Sequence, residues 1–283
     1  MPRHRCSLMM AGAALALAVS APLHAQGLSH NDKGGKPHKS KPPSSSPLPG
    51  PANSASPLSW LDDASLLTPG TMTLSISALR WSGTDLSEVD VPIVEASLGV
   101  TRRVQIGASV PRVMGSADGP VGGIGTSYVS AKIGLLDDQE IKVAVSPIVE
   151  ILGPNAVQAL APGESRYQLG VPVSLEIAQG PARMFAATGF FSRGAWFAGG
   201  GAGFQASPRL GVSASFTRSW AKTDLEGVTR DRRELSGGLS YFVKPQIGLY
   251  GSVGHTIATT DENGAGMSIS GGVTFILNTG IVK

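Results

Sequence analysis

The sequence is short of the residues that most proteins use for covalent or ionic stabilisation. Cysteine occurs once, at Cys6, inside a stretch that we interpret as a leader peptide, so neither a disulfide nor a lipid anchor is expected. Charged residues make up only 15% of the 283 residues, against about a quarter in typical soluble domains. No apolar run reaches the roughly 18 residues of a membrane-spanning helix. Helical membrane proteins and disulfide-stapled domains are thereby excluded.

The net charge of +3 has no pattern that suits nucleic acid. The basic residues are scattered or lie near the N-terminus, and no basic stripe with interleaved aromatic residues appears. We therefore expect no nucleic-acid partner. We also expect no cofactor and no metal site, since no His/Asp/Glu cluster has the spacing of metal ligands.

Two segments precede the fold. Residues 1–25 have a basic start, a short apolar run and a plausible cleavage site, which predicts a signal peptide and export. Residues 26–58 are rich in proline, lysine and serine and lack the apolar residues that a core needs, which predicts a disordered tail on the periplasmic side. Residues 59–283 are assigned to the folded unit.

Glycine is abundant, with 37 residues, and period-two alternation dominates from Thr71 onward. The pattern predicts twelve strands, most of 10–13 residues, which suits tilted membrane strands better than soluble ones. Short and long connections alternate along the chain, with one tight exception near Arg193, as periplasmic turns and outer loops do. We predict an all-β fold, a transmembrane antiparallel up-and-down β-barrel in the outer membrane of a diderm bacterium. The predicted strands are 71–82, 89–100, 103–112, 125–136, 140–151, 166–178, 182–192, 195–206, 209–220, 233–243, 246–257 and 265–277.

The two phases of the alternation predict the surroundings of particular side chains. Charged residues at mid-depth belong in the lumen, because a cation facing lipid there costs roughly 2–4 kcal/mol. On this phase we expect a charge belt, in which Lys132 lies near Gln105 and near Lys142, and Lys142 lies near Glu176. The complete predicted lumen set is Glu95, Gln105, Lys132, Lys142, Glu150 and Glu176.

Aromatic residues on the apolar phase fall near strand ends, which predicts contact with the two membrane interfaces. These are Phe185, Phe191, Trp196, Phe204, Trp220, Tyr241 and Phe275. Pro147 and Pro172 interrupt this regular picture, since each removes a ladder hydrogen bond and the two are expected nearly side by side.

The hairpin GVTRRVQIGASVPRV, residues 99–113, resembles the "MetA-pathway of phenol degradation" outer-membrane proteins. The matching residues are Gly99, Thr101, Arg102, Arg103 and Val110–Pro111, and further matches lie at Thr68–Ala78 and Gly123–Asp138. The resemblance covers residues 68–277. It implies a barrel that passes small compounds, aromatic ones among them, and it assigns no catalytic residue.

Two functions remain open for such a barrel. One is a passive channel, in which the charge belt filters small solutes. The other is a non-conducting structural or surface-interaction barrel, in which the same charges form ion pairs that brace the wall. A hydrolase is not expected, because His255 has no serine and polar partner predicted beside it. Membrane lipid and lipopolysaccharide are the expected surroundings, and the oligomeric state stays open.

Overall fold

The computed structural model describes residues 64–83, 87–116, 123–138, 140–153, 165–192, 194–221, 231–259 and 265–280. The predicted signal peptide and disordered tail lie outside these residues. Within them, no helix is long and apolar enough to cross a membrane.

The described residues form thirteen β-strands joined in one antiparallel sheet. The strands are β1 (Thr71–Gly83), β2 (Ser87–Thr101), β3 (Val104–Ser116), β4 (Ser127–Asp137), β5 (Ile141–Val145), β6 (Ile148–Ile151), β7 (Tyr167–Gln179), β8 (Ala182–Phe191), β9 (Ala195–Ser207), β10 (Leu210–Ala221), β11 (Asp231–Lys244), β12 (Ile247–Thr259) and β13 (Gly266–Asn278).

The sheet closes on itself, because β1 pairs with β13 along its whole length, from Thr71 opposite Asn278 to Gly83 opposite Gly266. Closure leaves no unpaired edge, which is the condition for a sheet to cross a membrane. The fold is a closed antiparallel barrel of twelve strands, in which β5 and β6 together make one strand. The predicted number of strands and the all-β class are confirmed.

The predicted strand at 140–151 is broken in the structure. β5 and β6 both pair with β4 on one side and β7 on the other, and Ser146 and Pro147 separate them. The break is narrow, because the Ser146 N–H donates to the Pro172 carbonyl at 2.8 Å. On the other side the Ala131 N–H donates to the Pro147 carbonyl at 3.0 Å. The wall therefore remains hydrogen-bonded around the two prolines.

The two faces of the wall have the opposite polarity to a soluble domain. In β7 the apolar residues are exposed, as Leu169 at 58% shows, while the alternate polar residues are buried, as Ser174 at 2% shows. The period of two places each set on one face of the strand. Hydroxyl and charged groups are buried inside, and Val, Leu and Ile are exposed outside. This is the pattern of a barrel in lipid.

The three residues that join β8 to β9 lie at one end of the barrel, and five other short connections lie at the opposite end. These five are the turns at Arg102–Arg103, Gly180–Pro181, Pro208–Arg209 and Pro245–Gln246, together with the connection around Asp138–Glu140. Thr71 at the start of β1 and Asn278 at the end of β13 lie at this same end. We refer to it as the turn end, and to the other as the loop end.

Candidate solute path

Four of the predicted lumen residues form a belt near the turn end. Gln105 on β3 lies opposite Lys132 on β4, and Lys142 on β5 lies opposite Glu176 on β7. Each of the four side chains is buried, with no more than 5% exposure. Two cations, a carboxylate and an amide therefore line one arc of the lumen at one level.

The prediction that strand pairing places Lys132 beside Lys142 is wrong. A β-bulge between Gly134 and Leu136 shifts the pairing, so that Asp137 lies opposite Lys142. A bulge adds one residue to one strand and moves every later partner along. Both lysines nevertheless contact one segment of the chain, which lies inside the lumen and is not part of the barrel wall.

That segment is Ala64–Gly70, which runs inside the lumen before β1 begins. Its Ser65 hydroxyl donates to Glu176 Oε2 at 2.6 Å and accepts from Lys142 Nζ at 3.1 Å. Lys132 Nζ donates to the Ser65 carbonyl at 3.2 Å. Ser65 thus contacts three of the four belt residues: its side chain joins Lys142 to Glu176, and its backbone carbonyl holds Lys132.

Further contacts hold the same segment against the wall. The Leu67 N–H donates to Gln105 Oε1 at 2.9 Å, which completes the belt's contact with the segment. The Thr68 carbonyl oxygen lies 2.3 Å from the position that a Cβ on Gly99 would take. Such an approach is possible only where the wall residue has no side chain. The period-two pattern carried no signal of this segment, because the pattern reports on strands alone.

Arg183 on β8 is a further belt residue that the sequence did not indicate. Its guanidinium lies 3.6 Å from Glu176 Oε1, while Lys142 Nζ lies 4.0 Å from the same oxygen. The belt therefore contains three cations, Lys132, Lys142 and Arg183, and one carboxylate, so its formal charge is positive in sum.

Glu95 and Glu150 face the lumen at a second level, farther from the turn end. The Ser109 hydroxyl donates to Glu95 Oε1 at 3.4 Å, and the Tyr128 hydroxyl donates to Glu150 Oε1 at 3.2 Å. Glu95 pairs with Ser109, which pairs with Tyr128, which pairs with Glu150, so these four residues form one row. All six predicted lumen residues lie in the lumen. Their part in solute passage stays a prediction.

Five of the seven predicted interface aromatics lie on the outer phase of their strands. These are Trp196, Phe204, Trp220, Tyr241 and Phe275. Arg218 lies over the Trp220 ring at 5.4 Å on this outer surface. The contact of these residues with the membrane interfaces stays a prediction.

The prediction for Phe185 and Phe191 is wrong, since both point into the lumen and are 7% and 0% exposed. The segment FAATGFF has two adjacent phenylalanines, and its outward one is Phe190, whose ring lies against that of Trp196 at a tilt of 52°, with 4.8 Å between centroids. Phe191 instead packs beside Phe197, with 6.2 Å between ring centroids. Gly170 and Gly189 make room for these two rings, because a side chain at either position would collide with them.

His255 lies on the outer phase of β12, between Leu235 and Met267 on the neighbouring strands. Neither neighbour is a nucleophile or a base. In the part of the chain that the structure describes, no group of three or more His, Cys, Asp or Glu residues could hold a metal ion.

The closed antiparallel wall and its charged lumen define a class of fold, the transmembrane β-barrel, and solved outer-membrane proteins share this fold. The NanC porin superposes with a TM-score of 0.54 at 13% identity, covering 71% of this chain and 98% of that one. An outer membrane channel from Pseudomonas putida F1 superposes with a TM-score of 0.58 at 13% identity, covering 76% and 98%. No protein-family model and no curated protein sequence matches the chain.

Proposed function

We propose that the protein is a passive channel of the outer membrane that conducts small solutes through its lumen. The observation that carries the proposal is the combination of an apolar outer wall with a closed lumen lined by hydroxyl groups and charges. A barrel that only filled its own interior could do so with apolar side chains, at no cost in desolvation. Polar lining is what a water-filled path requires.

The belt is the place where this path discriminates between solutes. Lys142 and Arg183 flank Glu176, Lys132 donates to the Ser65 carbonyl, and the Ala64–Gly70 segment occupies part of the lumen beside them. A narrow passage with fixed charges filters ions by sign, because the field acts at close range and water screens it poorly there. We infer that the belt favours anions over cations.

The proposal extends to location and solute. We propose that the protein is exported by a cleaved signal peptide at residues 1–25. We propose further that it inserts in the outer membrane among lipid and lipopolysaccharide and that it is not an enzyme. The structural neighbours are named a porin and an outer membrane channel, which supports passage of solutes. The resemblance to the "MetA-pathway of phenol degradation" proteins supports small aromatic compounds among them, and membership of that family stays a prediction.

Single-channel recording in planar bilayers tests the proposal. Wild type should give steady openings with a preference for anions, and Lys142→Glu should shift the preference toward cations by reversing a charge within the belt. Lys244→Glu is the matched control, because Lys244 is an exposed residue at the turn end of β11. Its preference should stay close to that of the wild type.

The second candidate, a non-conducting barrel, is favoured by one observation, which is that Ser65 bridges the belt from inside the lumen. Well-folded protein that leaves the bilayer silent would establish this alternative. Heat-modifiable migration on gels would show that the tested protein is a folded barrel. Equal ion preference in wild type and Lys142→Glu would contradict the role of the belt.

A further inference from the structure

A second polar cluster lies in the lumen toward the loop end, away from the belt. Five side chains there each have a polar atom that is buried and has no hydrogen-bond partner among the described residues. These atoms are Trp81 Nε1, Arg232 Nε, Glu234 Oε1, Thr256 Oγ1 and Ser268 Oγ. Buried polar groups are nearly always satisfied by protein, water or ligand, so several orphaned atoms in one place are evidence of a binding site.

The strand register brings the five side chains together on four adjacent strands. Trp81 on β1 lies opposite Ser268 on β13, and Glu234 on β11 lies opposite Thr256 on β12. Gly254 joins the two pairs, because a Cβ there would lie 2.6 Å from Ser268 Oγ and 2.7 Å from Glu234 Oε1. The hydroxyl and the carboxylate therefore lie over the same glycine.

The Trp81 indole forms a flat side to this cluster. Its ring atoms lie 2.2 Å and 2.7 Å from the positions that Cβ atoms on Gly83 and Gly266 would take. These two glycines pair across β1 and β13, so the ring lies along the wall over both of them. One face of the indole then rests on backbone, and the whole side chain is only 3% exposed.

The chemistry of the cluster favours an uncharged solute with hydroxyl groups. Arg232 Nη2 donates to Glu234 Oε2 at 2.9 Å, so the two charges compensate each other. The remaining atoms include two donors, the N–H groups of Trp81 and Arg232, and one acceptor, Glu234 Oε1. A hydroxyl group both donates and accepts, and it suits this mixture better than an amine or a carboxylate does. Glu88 and Asp90 on β2, opposite Trp81 and Leu79, add two further carboxyl groups that disfavour anions, and Asp90 Oδ1 is likewise buried without a hydrogen-bond partner among the described residues.

We propose that Trp81, Arg232, Glu234, Thr256 and Ser268 form a solute-binding site in the lumen for a small uncharged ring compound that carries hydroxyl groups. The solute ring lies at the edge of the indole, and its hydroxyl groups bond with the Trp81 N–H, Glu234 and Ser268. The proposal rests on the proposed channel, in which a solute binds at this site on the loop side of the belt. Both hydroxylated aromatic rings and small sugars have this chemistry.

Saturation-transfer NMR on the folded full-length chain tests the site, in a detergent without a sugar headgroup. The ring probes are D-glucose and catechol, the open-chain probe is D-sorbitol, and the cationic probe is tetramethylammonium. Empty micelles give the background. We expect saturable binding of at least one ring probe, and which of the two binds identifies a sugar-like or an aromatic solute.

Variants locate the binding. Glu234→Gln should weaken it by about tenfold or more, because a hydrogen bond to a carboxylate is replaced by one to a neutral amide. Trp81→Phe keeps a ring but loses the N–H, and Ser268→Ala loses the hydroxyl, so each should weaken binding several-fold. Trp220→Phe on the outer surface and Ser270→Ala, whose hydroxyl is bonded to Ser252 at 2.6 Å, are the matched controls and should bind as wild type does.

Three results would overturn the site: binding of the ring probes no greater than to empty micelles, equal affinities in wild type and the three variants, or tighter binding of tetramethylammonium or sorbitol than of either ring. The outcome is separable from that of the channel proposal. Steady conductance without ring binding removes only the site, whereas ring binding by a barrel that leaves the bilayer silent removes only the channel.

Discussion

At the scale of the residue, Glu176 is the centre of the belt. Its carboxylate accepts from Ser65 at 2.6 Å and lies beside the Arg183 guanidinium and the Lys142 ammonium. It is 3% exposed, so water shields these charges poorly. A carboxylate that compensates several buried cations contributes to stability mainly because its removal leaves those cations uncompensated.

Glu176→Gln should therefore lower the free energy of unfolding by about 1–3 kcal/mol, the cost of leaving buried polar groups without a charged partner. Urea unfolding followed by tryptophan fluorescence in detergent measures it. Glu140→Gln, at an exposed connection of the turn end, is the control and should be neutral. A Glu176→Gln barrel as stable as wild type would mean that the cations do not depend on this carboxylate.

Charge placement in this lumen was largely readable from the sequence, but individual partners were not. The alternation predicted that Glu95, Lys132 and Glu176 face inward, because a period of two allows only two faces. It could not reveal Arg183 as a partner of Glu176, since β8 lacks a clean alternation. Because Phe190 and Phe191 are adjacent, the apolar residues of β8 do not show which phase faces outward. The prediction that Phe185 and Phe191 face outward is wrong for the same reason.

At the scale of the element, the Ala64–Gly70 segment is the feature that most affects the path. It is held by side chains of four different strands, namely Gln105, Lys132, Lys142 and Glu176. Its backbone also passes close to Gly99, where the Thr68 and Leu67 carbonyl oxygens lie 2.3 Å and 2.6 Å from a potential Cβ. Backbone atoms in such positions cannot turn aside as the tip of a side chain can.

Gly99→Ala should consequently displace the segment from the wall. We expect a change of single-channel conductance, upward if the segment leaves the belt, because the belt is the level that it occupies. Gly237→Ala is the control, since Gly237 faces outward and a Cβ there meets only the Ser213 carbonyl oxygen at 3.7 Å. Identical conductance in Gly99→Ala and wild type would show that the segment does not limit the path.

At the scale of the whole molecule, the barrel depends on lipid around its outer wall. Outward residues of β7 such as Val171 and Val173 are 51% and 41% exposed, and many other strands expose Val, Ile or Leu in the same way. In water this surface would be an aggregation hazard, whereas in a bilayer it is the solvated face. The hydrogen-bonded closure of β1 on β13 serves the same requirement.

Val173→Arg, near the middle of β7, should destabilise the barrel by roughly 2–4 kcal/mol in a bilayer, the cost of a cation at mid-depth. Folding titrations in lipid vesicles measure the change, and Val173→Leu should behave as the wild type. A neutral effect of Val173→Arg would contradict the lipid-facing assignment of this wall and with it the outer-membrane proposal.

The sequence by itself determined the class of fold, the twelve strands and the inward or outward phase of most residues. These properties follow from local alternation and from the lengths of connections, which the chain carries in every hairpin. Only the tertiary structure decided which residues meet inside the barrel. Ser65 and Glu176 are 111 residues apart, and Trp81 lies opposite Ser268 only because closure pairs β1 with β13. Contacts across a closed lumen depend on register, bulges and closure together, and no local period encodes them.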